Sequence, residues 1–274
     1  MAIQIALLPD NRLHLNHGPI DLICQAWGKG DAVARAYDRA MRRFAGLLEE
    51  LVAELPALRR EKAALHGPIA RLMAAAVMPF RPAFITPMAA VAGAVAETVL
   101  AAMTGPDIDR AYVNNGGDIA FHLTPGHSLT AAIALTGHRV TIRDADPVRG
   151  MATSGWRGRS WSRGIADSVT VLAKTAAMAD AAATMIANAV DLPDHPAITR
   201  RPARDMQADS DLGDLPVTVA VGALTAAEVA HALQRGLAAA VHYQSRGLIE
   251  GAALILQSQH RATGHPALSE PEHV

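Results

Sequence analysis

Apolar residues alternate with polar ones at the start of the chain. Residues 2–8 (AIQIALL) and 19–26 (PIDLICQA) read as strands joined by a polar turn at Pro9, Asp10 and Asn11. The period then lengthens. Val33, Tyr37, Met41, Phe44, Leu48, Leu51 and Leu55 recur every three or four residues, which predicts one amphipathic helix ended by Pro56. A second helix is expected over 68–77. A third opens at Thr86-Pro87, with threonine as N-cap and proline at the first position.

Downstream the strand period returns. Residues 111–113 and 118–123 predict strands around an Asn-Asn-Gly-Gly corner. Residues 129–135 and 138–142 read as a hairpin about Thr136-Gly137. Residues 168–173 form an apolar strand, followed by a helix from Thr175 to about Val190. Residues 191–214, rich in proline, aspartate and arginine, read as a long exposed loop. A strand is expected at 217–221. Thr225 and Glu228 form a capping box that opens a helix toward Tyr243. A last strand is expected at 252–257, and residues after Arg261 look frayed. The pattern predicts one α+β domain over 1–262, an antiparallel or mixed sheet flanked by alanine-rich helices, with a tail at 263–274.

Composition narrows the function classes. Half of the 274 residues are apolar but only 4% are aromatic, so small aliphatic side chains must build the core. A net charge of −1 gives no reason to expect a nucleic-acid or membrane partner. The single cysteine, Cys24, excludes an intramolecular disulfide and a cysteine-rich metal site, and its apolar strand predicts a buried, inert thiol. The first residues lack the pattern of a signal peptide, and residues 85–103 read as a buried helix rather than a membrane span. Both point to the cytoplasm.

Several residues could carry chemistry. Asn115, Gly116 and Gly117 form a corner at which a backbone could approach a ligand closely, and Asp118 follows as an acceptor. Asp180 and Thr184 stand four apart on one predicted helix and could both face an oxygen-preferring ion. Thr153 and Ser154 offer hydroxyls beside Gly155. The stretch WRGRSWSRG sets Arg157, Arg159 and Arg163 among tryptophans, a combination suited to an anionic ring compound. His14, His17, His66 and His122 lack metal-ligand spacing and read as scattered surface or turn histidines.

Three segments, in order, resemble the FAD:protein FMN transferase (ApbE-like) superfamily. They are TPMAAVAGAVAETV at 86–99, YVNNGGDIAFHL at 112–123, and the run from ATSG at 152–155 to SVTVLAKTAAMADAAATMIANA at 168–189. The resemblance implies an ApbE-like, T-fold-related fold. It implies Mg²⁺ on Asp180 and Thr184, completed by a main-chain carbonyl of Val91 or Ala92. It also implies FAD or FMN held near Asn115, Gly116, Gly117, Thr153 and Ser154, with Asp180 in a catalytic role. Read from the residues alone, Asp118 is a candidate catalytic acceptor or base, Arg157 a catalytic anchor and Arg159 a ligand contact. HLNHGPIDLI at 14–23 and HGPIARLMAAAVMPF at 66–80 resemble a short cytoplasmic branch of the superfamily.

The chain departs from the superfamily pattern between Gly155 and Ser168, where WRGRSWSRGIAD replaces a His-Ile-Ile-Asp-Pro segment. A lysine is also absent ahead of Gly93. Three readings therefore stand: a divalent-cation-dependent enzyme of flavin or a related nucleotide, a hydrolase or isomerase of a small anionic ring compound anchored by an arginine, or a non-catalytic ligand-binding protein. A homodimer is expected in each.

Overall fold

A computed structural model describes residues 2–133, 135 and 139–265. Contacts between Cα atoms divide the chain into two compact units. The first comprises 1–131, 141–152 and 173–180; the second comprises 132–140, 153–172 and 181–274.

The first unit opens with strands β1 (Gln4–Leu8), β2 (Arg12–His17) and β3 (Ile20–Gly28). β2 corrects the sequence expectation, which gave this stretch to a turn. Leu13, Leu15 and His17 are buried on one face while Arg12, His14 and Asn16 take the other, an alternation that the polar residues disguise. The predicted long helix is three: α1 (Ala32–Phe44), α2 (Leu47–Ala53) and α3 (Leu55–Leu58). Pro56 lies at the start of α3 rather than ending a helix, and the first break falls at Ala45-Gly46. α4 (Pro68–Val77) follows as expected. The Glu54 carboxylate accepts from the His66 and Gly67 N–H groups ahead of it, at 2.7 and 2.6 Å.

Thr86 precedes a short 3-10 turn, Pro87–Ala90, at the N-cap position but without a side-chain cap bond; α5 (Val91–Met103) continues from it. Strands β4 (Ile108–Asn115) and β5 (Asp118–Leu123) form the predicted hairpin. β6 (Ser128–Ala132) and β7 (Arg139–Arg143) form a two-stranded sheet of their own, and the expected turn at Thr136-Gly137 lies outside the described residues. β5 also pairs with β8 (Gly150–Ser154), Ile119 opposite Met151.

The strands β1 to β5 run in sequence order, each antiparallel to its neighbour. Leu13, Leu15, Leu22, Cys24, Ala111 and Val113 bury one face of this meander. α1 packs against β3 and α5 against β4 and β5. Ala94, Ala96 and Val99 of α5 are buried, and side chains this small let the helix axis approach its neighbours closely. Arg39 of α1 then donates to the Ala102 and Met103 carbonyls at the end of α5, at 2.7 and 2.8 Å, satisfying groups the helix leaves open.

The second unit contains most of β9 (Ser168–Ala173) and the later part of α6 (Ala176–Ala189). The predicted loop at 191–214 contains β10 (Ile198–Pro202) and the short α7 (Ala203–Met206). β10 pairs with β11 (Pro216–Val221) in a separate two-stranded sheet. Its arginines and proline mask a strand because the hairpin is half exposed. α8 (Ala226–Ser245) opens on the predicted capping box. Glu228 N–H donates to Thr225 Oγ1 at 3.3 Å, and Thr225 N–H to Glu228 Oε2 at 2.7 Å. β9 pairs with β12 (Gly251–Leu256), Val169 opposite Leu254. β12 pairs in turn with β13 (Gln259–Gly264), which passes the expected frayed end at Arg261. The protein is α+β, with antiparallel sheets and alanine-rich helices.

Candidate functional site

The first unit gathers one group of the expected residues at the start of two helices. The β4–β5 corner is a two-residue turn. Asn115 pairs with Asp118, and Gly116 (φ 65°) and Gly117 (φ 114°) take conformations that a side chain strains. The Gly117 N–H donates to Asn114 Oδ1 at 2.8 Å, so this donor serves the turn rather than a ligand. Space beside Gly117 is open: a Cβ there would meet nothing within 4 Å. Asn115 is buried and donates from Nδ2 to the Ala92 carbonyl at 3.1 Å. The corner is thereby fixed against the first turn of α5.

Asp180, in α6, reaches the same turn of α5. Its Oδ2 accepts from the Gly93 N–H at 3.0 Å. Glu97, the one charged residue of α5, returns the contact: its Oε1 accepts from Ala177 N–H at 2.8 Å. Each helix thus receives a carboxylate from the other at its N-terminal end, where exposed N–H groups and the helix dipole favour negative charge. Glycine at 93 makes the approach feasible, since a Cβ there would lie 2.3 Å from the Ala176 carbonyl oxygen. Gly150 serves the same junction, its Cβ position lying 2.2 Å from the Thr175 carbonyl carbon.

Asp180 is half-buried, and burial raises its carboxyl well above the usual 3.8. The charge of Asp118 raises it further, and the Gly93 and Ala92 N–H groups oppose the shift. Two carboxylates, an amide-anchored carbonyl and an open glycine corner therefore converge. Hard oxygen donors of this kind suit a divalent cation such as Mg²⁺: Asp180 holds Gly93 through Oδ2, and the bond from Asn115 ties the Ala92 carbonyl to the corner.

The other expected residues lie in the second unit. Thr184, one turn along α6 from Asp180, is half-buried there. Thr153 Oγ1 is 3.0 Å from Thr170 Oγ1, and Ser154 is half-buried beside it. Arg157 is 67% exposed, 3.3 Å from Asp167, with its guanidinium stacked 4.8 Å from the Trp156 ring. Arg159 is exposed. Asp167 organises this segment: besides Arg157 it accepts from Trp156 Nε1 at 3.1 Å and from Gln257 N–H at 2.5 Å.

The histidines do not converge. His14 pairs with Asp21 at 2.6 Å on one face of the sheet, His17 is buried against Phe44, and His66 is exposed. Desolvation lowers the half-buried His122. Among the described residues no group of three or more His, Cys, Asp or Glu is placed to hold a metal. Cys24 is fully buried, with its thiol pushed up to about 12. Sequence reasoning missed Gly93, Glu97 and Gly150 as site builders. For Glu97 the signal was present, a lone acid in an otherwise uncharged helix.

No described helix is long and apolar enough to cross a membrane. The apo form of flavinyl transferase ApbE from Pseudomonas stutzeri superposes with a TM-score of 0.48 at 12% identity. The match covers 98% of this chain and 95% of that one, and at this distance no residue role passes from one to the other. A UPF0280 protein of Methanopyrus kandleri is 36% identical over 158 residues, covering 54% of this chain and 58% of the relative. One from Methanothermobacter thermautotrophicus is 39% identical over 136 residues, covering 47% and 51%. The chain thus spans little more than half the length of these relatives. The family described as AbpE bacteria matches residues 5–262, nearly the whole chain, and the protein belongs to that ApbE-like family.

Proposed function

We propose that the chain is a divalent-cation-dependent enzyme that binds FAD, FMN or a related nucleotide beside the 115–118 corner and transfers FMN. One observation carries the reading: Asp180 Oδ2 accepts from Gly93 N–H at 3.0 Å on the same turn of α5 to which Asn115 ties the 115–118 corner at 3.1 Å, where burial and then the charge of Asp118 raise the Asp180 carboxyl. Two acids gathered at a glycine turn and a helix start have an energetic cost that a bound cation would remove.

Asp180, Asp118 and the Ala92 carbonyl would hold Mg²⁺. When bound, the ion supplies charge neutralisation to a pyrophosphate. The residues of the chain do the positioning. Asn115 fixes the carbonyl, Gly93 N–H orients the Asp180 carboxylate, and the absence of a side chain at Gly117 leaves room for a phosphate or ribityl group.

The test is incubation with FAD and MgCl₂, following Mg²⁺ and FAD binding by calorimetry and FMN or AMP release by chromatography. Mg²⁺-dependent FAD binding that is lost in Asp180→Asn and Asp118→Asn is expected. Wild-type protein that ignores FAD at high micromolar concentration with saturating Mg²⁺ would refute the proposal.

A further inference from the structure

A cleft of about 630 Å³ opens in the second unit, lined by Arg163, Asn188 at the end of α6, Asp191, His195 and Arg200 of β10. Its size falls within the range of small-molecule sites, roughly 300–1,000 Å³. Most of its charged groups are already matched. Arg200 is ion-paired with Asp191, each side chain under one-fifth exposed. His195 Nε2 lies 2.9 Å from Glu228 Oε1, and its Nδ1 accepts from Ala197 N–H at 3.2 Å.

Arg163 is different. Its backbone N–H is held by Asn188 Oδ1 at 2.9 Å, which fixes the residue at the cleft. Its Nε is buried without a hydrogen-bond partner. Asp191 feels the charge of Arg163, but Arg200 occupies its Oδ1. Among the described residues no carboxylate is ion-paired with the Arg163 guanidinium. A half-buried guanidinium with an unsatisfied donor is costly to the fold unless something completes it.

We infer that this cleft is a binding site for a small molecule bearing a carboxylate or phosphate, with Arg163 as the anion anchor. The planar fork of guanidinium donors matches either oxyanion. Asp194, exposed at the rim, favours a ligand whose other end carries hydroxyl or ammonium donors. Of the three arginines in WRGRSWSRG, Arg163 lines this cleft, whereas Arg157 is spread on Trp156 and Asp167. The site uses neither Asp118 nor Asp180, so it stands or fails independently of the cation and flavin reading.

The experiment is an NMR titration of protein labelled with ¹⁵N-arginine, using inorganic phosphate and, separately, acetate at constant ionic strength. The Arg163 Nε–H resonance, assigned through Arg163→Gln, should shift in a saturable way. Arg163→Gln should weaken binding by about tenfold or more, while Arg201→Gln, next to Arg200 in β10 but outside the lining, should leave it unchanged. A response to phosphate alone would define the ligand as a phosphate ester, and a response to both as a general oxyanion. An unmoved Arg163 resonance in the wild-type protein, or equal affinity in wild type and Arg163→Gln, would overturn the proposal. Should Arg163→Gln fail to fold, saturable movement of a single Nε–H resonance in the wild-type spectrum is required, and its absence is equally decisive.

Discussion

The Asp180 carboxylate accepts a hydrogen bond from the Gly93 N–H at 3.0 Å, and this bond joins the start of α5 to a residue 87 positions later. Glu97 completes the clasp from the other side by accepting from Ala177 N–H. The candidate site is built on this junction, so its energetics can be tested apart from any catalysis.

Gly93→Ala should destabilise the protein by about 1–3 kcal/mol, because the new methyl would press on backbone atoms that cannot rotate away. The Cβ would lie 2.3 Å from Ala176 O and 2.7 Å from Ala177 N. Chemical denaturation measures the loss. A variant as stable as wild type would mean that the two helices can separate at no cost.

Asp180→Asn should change how stability depends on pH. Burial, then the charge of Asp118, raise the Asp180 carboxyl above 3.8 in the folded chain. Over the window from about 4 upward to the raised value, the folded chain keeps a proton that the unfolded chain has lost. The stabilisation present at lower pH is therefore lost as pH rises through that window. Asparagine removes the titration and retains an oxygen for Gly93 N–H. Urea midpoints should diverge in favour of the variant as pH rises, then run parallel; curves parallel throughout would contradict the assigned shift.

Glu228→Gln tests the opposite sign. Bonds from His195, from Thr225 N–H and from Thr225 Oγ1 hold the Glu228 carboxyl down at about 2, against 4.5 normally. The stabilisation is present above 4.5 and is lost as pH falls toward 2. The variant should melt below wild type at neutral pH, with the gap closing in acid. A constant gap down to the acid limit would show that the charge is not what the cap uses.

Cys24 should resist thiol reagents in the folded protein at pH 8 and react stoichiometrically in denaturant, since its thiol is fully buried and pushed up to about 12. Rapid native labelling would place the thiol at the surface instead.

Elements with one apolar face and clear punctuation were legible from the chain. α4 begins at Pro68, the β4–β5 turn falls on the two glycines, and α8 opens at Thr225 and Glu228. Strands with a polar face were not. β2 alternates leucine with histidine and asparagine, β10 is built on arginine and proline, and β13 is largely polar. A strand buried on one face needs apolar residues only at alternate positions, so its composition approaches that of a loop.

Local sequence determined the corner, the carboxylate and the helix that bears it, because each depends on conformational preferences within a few residues. Only the tertiary structure decided what they meet. It brought Asp180 to Gly93 and Asp118, gave the Gly117 N–H to Asn114, set Arg157 on Asp167, and turned Arg163 toward a cleft. Packing across long sequence separations fixes those pairings, and a linear pattern carries no record of distance in space.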